Sequence, residues 1–282
     1  MTTDEHSPTG FPTTLVIGGT GKSGRRVAAR LAGRGVAVRT ASRSSRPPFS
    51  WQDESTWAPA LHGVGAAYLS YHPDIGLPQA AEQIGSFVEL ALAEGVGRLV
   101  LLSGRGSDAA LRAERALQDS KAAWTVVRSS WFSQNFSEGF LTELVRGGRI
   151  AFPAGGVAEP FVDADDVADV VVAALTDDRH VHQVYELTGP SSLTFADVAA
   201  ELTRAAGRPV RYEPISFEEF VDALSDSGVP AEAAAATASV FREILDGRNT
   251  GTTDGVQHAL GRPAAGFTDY ARAAAASGVW RA

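Results

Sequence analysis

A short β-branched run, Thr13 to Ile17, stops abruptly at Gly18-Gly19. Beyond it Val27, Ala28 and Leu31 recur at helical spacing, and Gly33 to Gly35 closes that segment. Val36 to Thr40 is a second short strand-like run. The opening therefore spells strand, turn, helix, strand within about 30 residues, the size of a βαβ unit. The alternation continues down the chain. Ala66 to Ser70, Arg98 to Leu102, Trp124 to Arg128 and Gln183 to Thr188 predict strands. Ala80 to Glu94, Ala109 to Ser120, a stretch from Asn135 to Arg146, and Asp165 to Leu175 predict helices. Residues 44–60, rich in Ser, Pro and Trp, predict a loop with one short strand or helical turn. The strands are short and apolar on both faces, the pattern of a parallel sheet covered on both sides in a doubly wound α/β fold. From Thr194 onward the pattern is mostly helical: Ala196 to Ala206, Phe217 to Leu224, Ala231 to Leu245 and Phe267 to Ala276. No internal repeat is visible.

Composition narrows the function. The 282 residues are 44% hydrophobic and 21% charged, enough for one large domain, or a core domain with an appendage. The formal charge of −8 argues against non-specific nucleic-acid binding and against an anionic membrane partner. Cysteine is absent, so disulfides, thiolate catalysis and cysteine zinc sites are excluded. The first residues, MTTDEHSPTGFP, carry acids where a signal peptide would carry bases. Apolar stretches such as Val167 to Leu175 are too short to span a bilayer. The expectation is a cytoplasmic protein, monomer or homodimer, with residues 1–11 as a disordered tail.

The stretch LVIGGTGKSGRR carries two phosphate-binding signatures. Gly21-Lys22-Ser23 imitates the end of an ATP-type P-loop, but the glycine required five positions before Gly21 is Val16. Gly18-x-x-Gly21-x-x-Gly24 instead suits a dinucleotide. Gly18 permits the tight exit from the strand, Gly21 lets the backbone approach a pyrophosphate, and Gly24 lets the helix pack close. The candidate cradle comprises Gly18, Gly19, Thr20, Gly21, Lys22, Ser23 and Gly24. An NAD site usually places an acid at the end of the second strand. Here the text is VRTASRSSR, where Ser42 and Arg43 suit a 2′-phosphate and Lys22 adds a cation. NADP(H) is preferred to NAD(H).

With those motifs in view, the chain resembles the NmrA-like branch of the atypical short-chain dehydrogenase/reductase superfamily. The matching pieces are IGGTGKSGRRV, RLVLLSGRG, WTVVRSSWFSQNF, FVDADDVADV, YELTGP and LGRPAAGFTDYA. SWFSQNF with the C-terminal LGRP look nearest to bacterial relatives of the ergot-alkaloid festuclavine and agroclavine synthases, which reduce an iminium with NADPH. The resemblance implies a Rossmann domain over 12–130, to which 161–188 returns, and a substrate-binding part made from 131–160 and 189–282. It also implies NADP(H). The departure matters as much. The superfamily's usual Tyr, with Lys four residues later, is missing: GSDAALRAERALQDSK contains no Tyr. Ketone reduction needs an acid for the alkoxide; an iminium, quinone or enone can take hydride without one there. The expected function is hydride transfer from NADPH to such a conjugated acceptor. The alternative is a catalytically silent NADP(H)-sensing regulator.

Ligands in open α/β sheets lie outside the carboxyl ends of the strands. Tyr71 and His72 are the titratable rings at those ends, either a proton donor or ring packing over the cofactor. Ser103 suits a hydrogen bond to substrate or carboxamide, or a turn cap. Arg105 suits an anionic group, or is a solvated loop charge. Trp131 and Phe132 suit an apolar wall that would attract a cationic iminium by roughly 0.5–2 kcal/mol, or are core aromatics. Gln134 and Asn135 suit substrate orientation, or cap the helix that follows. Asp163, Asp165 and Asp166 read as helix capping, and His180 with His182 as a surface turn, so no metal is expected. No Gly-x-Ser-x-Gly elbow is present, which argues against a serine hydrolase.

Overall fold

The computed structural model describes residues 10–281. Strand β1 (Thr14–Ile17), helix α1 (Lys22–Gly33) and strand β2 (Val38–Ala41) open the chain, followed by α2 (Trp57–Leu61), β3 (Ala66–Ser70) and α3 (Ala80–Ala93). Next come β4 (Arg98–Gly104), α4 (Asp108–Gln118), β5 (Ala123–Ser129), α5 (Leu141–Arg146), β6 (Arg149–Phe152) and β7 (Ala158–Glu159). Helix α6 (Ala164–Thr176), β8 (Gln183–Leu187), β9 (Leu193–Thr194), α7 (Phe195–Ala206) and β10 (Arg211–Pro214) follow, then α8 (Phe217–Asp226), α9 (Ala231–Ile244), α10 (Gly255–Leu260) and α11 (Phe267–Ala276).

Six strands form one parallel sheet in the order β2-β1-β3-β4-β5-β8, the Rossmann-type doubly wound arrangement. The order turns back between β1 and β3, which makes the crevice beyond β1 the switch point of the sheet. Strand alternation sorts the core by face. Leu15 and Ile17 pack on one side with Trp51, Trp57 and Phe87. Val16 packs on the other with Val27 and Leu31 of α1 and Val167, Val170 and Val171 of α6. A third apolar cluster lies apart from both faces and is rich in rings: Phe136, Phe152, Phe161, Phe195, Phe220 and Phe267.

Several expectations change. The tail expected over 1–11 lies outside the described residues as far as 9, and Phe11 packs against the core. The helix expected from Asn135 is a 3-10 turn, Ser133–Phe136, and α5 begins only at Leu141. Gly139 interrupts it, donating its N–H to Thr142 Oγ1 at 3.1 Å. The last third is not purely helical. Strand β10 runs parallel to β6, and β7 pairs antiparallel with β9. Those pairings join residues far apart in sequence, which local periodicity does not register. His180 is buried, not a surface residue: its Nδ1 meets Tyr185 Oη at 2.8 Å. Among the described residues no group of three His, Cys, Asp or Glu is placed to hold a metal, and no helix is long and apolar enough to cross a membrane.

Candidate functional site

Gly18 leaves β1 at φ +71°, a backbone that favours glycine, and its carbonyl accepts the Gly21 N–H at 2.8 Å. A Cβ on Gly24 would overlap that same carbonyl, so α1 sits directly on the turn. A Cβ on Gly19 would lie 2.8 Å from Thr40 Cβ on β2. Gly21 is the N-cap of α1; no side chain caps it and no acid stands in the first turn. The first N–H groups of α1 therefore keep their capacity for an anion, with the positive end of the helix dipole behind them. Lys22 stands at this opening. Burial, chiefly, holds its ammonium below the ordinary value, while Glu138 pulls the other way. Ser23 Oγ accepts from the buried Tyr68 hydroxyl at 2.9 Å, which fixes the start of the helix to β3.

The turn lines a cleft of about 620 Å³ that also takes in residues at the carboxyl ends of the strands and aromatic residues beyond them. Gly18, Thr20, Gly21, Lys22 and Ser23 line it, and so do Ser42 and Arg43 where β2 stops. Gly19 and Gly24 shape the turn from behind and do not reach the cleft. Ser42 Oγ and Ser44 Oγ share a hydrogen bond at 3.1 Å, and Arg43 is exposed. These residues fit NADP(H): a glycine turn that bulk would close, an uncapped helix start, and hydroxyls with a cation where NAD sites carry a carboxylate.

The expected catalytic residues separate on inspection. Tyr71 borders the cleft, but its ring packs on Trp51 at 5.1 Å and its hydroxyl donates to Gln83 Oε1 at 2.5 Å. Burial pushes this phenol above its ordinary value, so it is a poor donor. His72 is exposed at the cleft. Burial and then the Arg43 charge hold its imidazole below the usual range. Ser103 is buried and donates to Glu114 Oε1 at 2.6 Å, leaving its hydroxyl proton committed to α4. Arg105 is no solvated charge: its Nε donates to Glu186 at 2.8 Å and its Nη1 to the Asn249 carbonyl at 2.9 Å.

Trp131, Phe132 and Asn135 line the cleft, with Phe140 and Phe241 beside them. Trp131 is also a packing residue, its ring 5.5 Å from Phe152 and 5.1 Å from Phe241. Gln134 does not reach this cleft. It is buried and fastens the start of α6, its Nε2 donating to Asp163 Oδ1 at 2.7 Å and its Oε1 accepting from Ala164 N–H at 2.8 Å. Asp163 caps α6, accepting from Asp165 N–H at 2.7 Å. Asp165 and Asp166 are taken up by Arg30 and Arg262, each at 2.5 Å.

Two acids that the sequence did not single out line the cleft, Asp74 and Glu159. Asp74 receives the Gly76 N–H at 2.7 Å. Glu159 Oε1 is the one buried side-chain polar atom among the described residues that has no hydrogen-bond partner. Nothing in the run GGVAEPF marks that acid as different from a surface charge in a turn.

The NmrA-like family profile matches residues 110–265. Among curated proteins, the oxidoreductase YesF of Bacillus subtilis is 33% identical over 93% of this chain and 95% of its own length. An NAD(P)H azoreductase of Xenophilus azovorans is 32% identical, over 93% and 98%. An agroclavine dehydrogenase of Claviceps fusiformis is 30% identical, over 92% and 96%. Among solved structures, the NADPH-dependent quinone oxidoreductase of Escherichia coli, in complex with NADPH, superposes with a TM-score of 0.71 at 24% identity, over 92% of this chain and 98% of that one.

Proposed function

This chain belongs to the NmrA-like family, and from that membership and the cleft we propose that it is an NADPH-dependent reductase of small conjugated acceptors: iminium, quinone or enone. The observation that carries the reading is the continuity of the cleft. The same cleft is lined by a phosphate-type turn with cations and by an aromatic wall of Trp131, Phe140 and Phe241. When bound, NADPH supplies a hydride. The N–H groups at the start of α1 hold the pyrophosphate, and Lys22 and Arg43 balance its charge and that of the 2′-phosphate. Trp131 and Phe132 exclude water and hold a flat acceptor face-on, where a cationic acceptor also gains from the rings. The relatives named for azo, quinone or clavine chemistry support an acceptor of this kind.

The competing reading is a silent NADP(H)-sensing regulator. The apolar wall favours chemistry, because a sensor needs the turn and not a substrate pocket. Loss of reduced-nicotinamide absorbance is the test, against a panel of quinones, enones and cyclic iminium salts. Turnover is expected with at least one class; tight NADPH binding without turnover on any of them would favour the regulator. Cofactor choice is tested separately. Arg43→Ala is expected to weaken NADPH binding by roughly 1.5–3 kcal/mol, about tenfold or more, through loss of a charge-assisted bond. NADH binding, read by the same fluorescence titration, should barely move. Equal losses would mean that Arg43 does not meet the 2′-phosphate.

A further inference from the structure

The unpartnered carboxyl of Glu159 stands at a defined place. Its strand β7 pairs with β9, Glu159 opposite Leu193. The next carbonyl, that of Pro160, accepts from Ser130 Oγ at 2.5 Å and from Gly189 N–H at 3.0 Å. The backbone of Glu159 is thereby tied to the residues that follow β5 and β8. The side chain is 2% exposed and lines the cleft. A buried carboxyl without a partner costs stability, and sites that retain one usually use it.

We propose that Glu159 is the proton donor to the acceptor, supplying the acid that the absent Tyr-Lys pair would have supplied. This rests on the reductase reading above. A hydride and its two electrons arrive from the reduced nicotinamide at the acceptor carbon, or at one nitrogen of an azo group, and a C–H or N–H bond forms there. The π electron pair moves to the far oxygen or nitrogen of the conjugated system. That atom takes the proton of the Glu159 carboxyl, so an O–H or N–H bond forms as the carboxyl O–H breaks. The carboxylate left behind recovers a proton from solvent. The preferred substrates are acceptors that need this proton, quinones, enones or azo compounds; an N-alkylated iminium does not.

The charged neighbours suit the role. Burial, chiefly, pushes the Glu159 carboxyl up to about 7, with the Arg105 charge opposing and Asp246 adding to the rise. Arg105 comes from the end of β4, and its donors are already taken by Glu186 of β8 and the Asn249 carbonyl. Asp246 follows α9 and pairs with Arg248 at 2.6 Å. Asp74, after β3, is the other cleft acid; burial raises it, the Gly76 N–H lowers it and Glu243 raises it. The acid form of Glu159 is therefore present at neutral pH, where donation is useful.

The test uses wild type, Glu159→Gln and Glu159→Asp, with menadione and an N-alkylated cyclic iminium as acceptors. NADPH binding, read by fluorescence, should be alike in all three. For menadione, wild-type kcat/KM should fall as pH rises through about 7. Glu159→Gln should lose on the order of 100-fold or more below that pH and lose the limb; Glu159→Asp should keep a limb. For the iminium, Glu159→Gln should match wild type. Two readouts need no turnover. Infrared difference spectra should show a carboxyl titrating near neutral pH in wild type and not in Glu159→Gln. Melting should show linkage as well. The folded carboxyl titrates above its unfolded value, so its contribution is present at low pH and lost as pH rises to about 7. Glu159→Gln should therefore gain on wild type as pH rises across that window. A wild-type menadione limb that survives unchanged in Glu159→Gln, a limb of opposite sign, or no titrating carboxyl overturns the proposal. The opposite sign would assign the carboxylate to holding a cation. A wild type that binds NADPH and reduces nothing overturns the reductase reading and this role with it, whereas menadione turnover unaltered in Glu159→Gln overturns this role alone.

Discussion

Gly24→Ala is expected to abolish measurable NADPH binding and to destabilise the fold by about 2 kcal/mol or more. In an ordinary helix the same change would gain up to about 1 kcal/mol of helix propensity. Here the new methyl would overlap the Gly18 carbonyl oxygen, and a carbonyl cannot rotate aside as a side chain can. That carbonyl also holds the Gly21 N–H, so relief of the overlap moves the cradle itself. Denaturant unfolding reads the stability loss, and cofactor fluorescence reads the binding. An alanine variant that binds NADPH like wild type would show that the turn is not where the pyrophosphate rests.

Arg128→Ala is expected to cost about 3–5 kcal/mol, although the residue lies outside the cleft. Glu114 of α4 is 1% exposed and takes two bonds from Arg128, at 2.6 and 3.0 Å, and one from Ser103. Removing the guanidinium leaves that carboxylate buried without its cation. Arg128 also reaches Glu186 at 3.1 Å, and Glu186 holds Arg105, the cation nearest in influence to Glu159. Ser103→Ala is the control: it deletes one hydrogen bond and should cost roughly 1 kcal/mol. Urea unfolding of both variants separates the cases. Equal, small losses would mean that water reaches Glu114 and that the pair is not buried in effect. If Ser103 were the acid of the reaction, its alanine variant would lose turnover far beyond its stability cost; the commitment of its proton to Glu114 predicts a modest loss.

Much of this architecture was legible in the chain. The turn after Ile17 shows itself by glycine spacing, and the sheet strands by short apolar runs, because both are local. The expectation of NADP(H) rests on a reading of the same local kind, Ser42-Arg43 where an acid would stand. Of the acidic run, Asp163 reads correctly as capping for the same reason, whereas Asp165 and Asp166 serve ion pairs with Arg30 and Arg262. What escaped has long-range causes. Gln134 looks like a substrate residue until α6, thirty positions on, arrives to be capped by it. Arg105 looks solvated until Glu186 and Asn249 enclose it. Glu114 has the spacing of any helix-surface acid, and its burial depends on Ser103 and Arg128 from two strands. Glu159 is the clearest instance, since only the assembled cleft distinguishes its carboxyl from a charge in a turn. The Tyr-Lys absence was visible at once; what stands in its place was not.

The arginines of α1 carry a consequence beyond packing. Arg26 bonds Glu138 at 2.7 Å, and Arg30 bonds Asp165 at 2.5 Å and Asp169 at 2.6 Å. Asp169 is shared with Arg262, which also grips Asp166. The helix whose amino end opens on the cleft is thus braced, through Asp169 of α6, by a residue near the far terminus. Arg262→Ala would leave every cleft-lining side chain in place and still remove that brace, so its loss would register first as a looser grip on the dinucleotide.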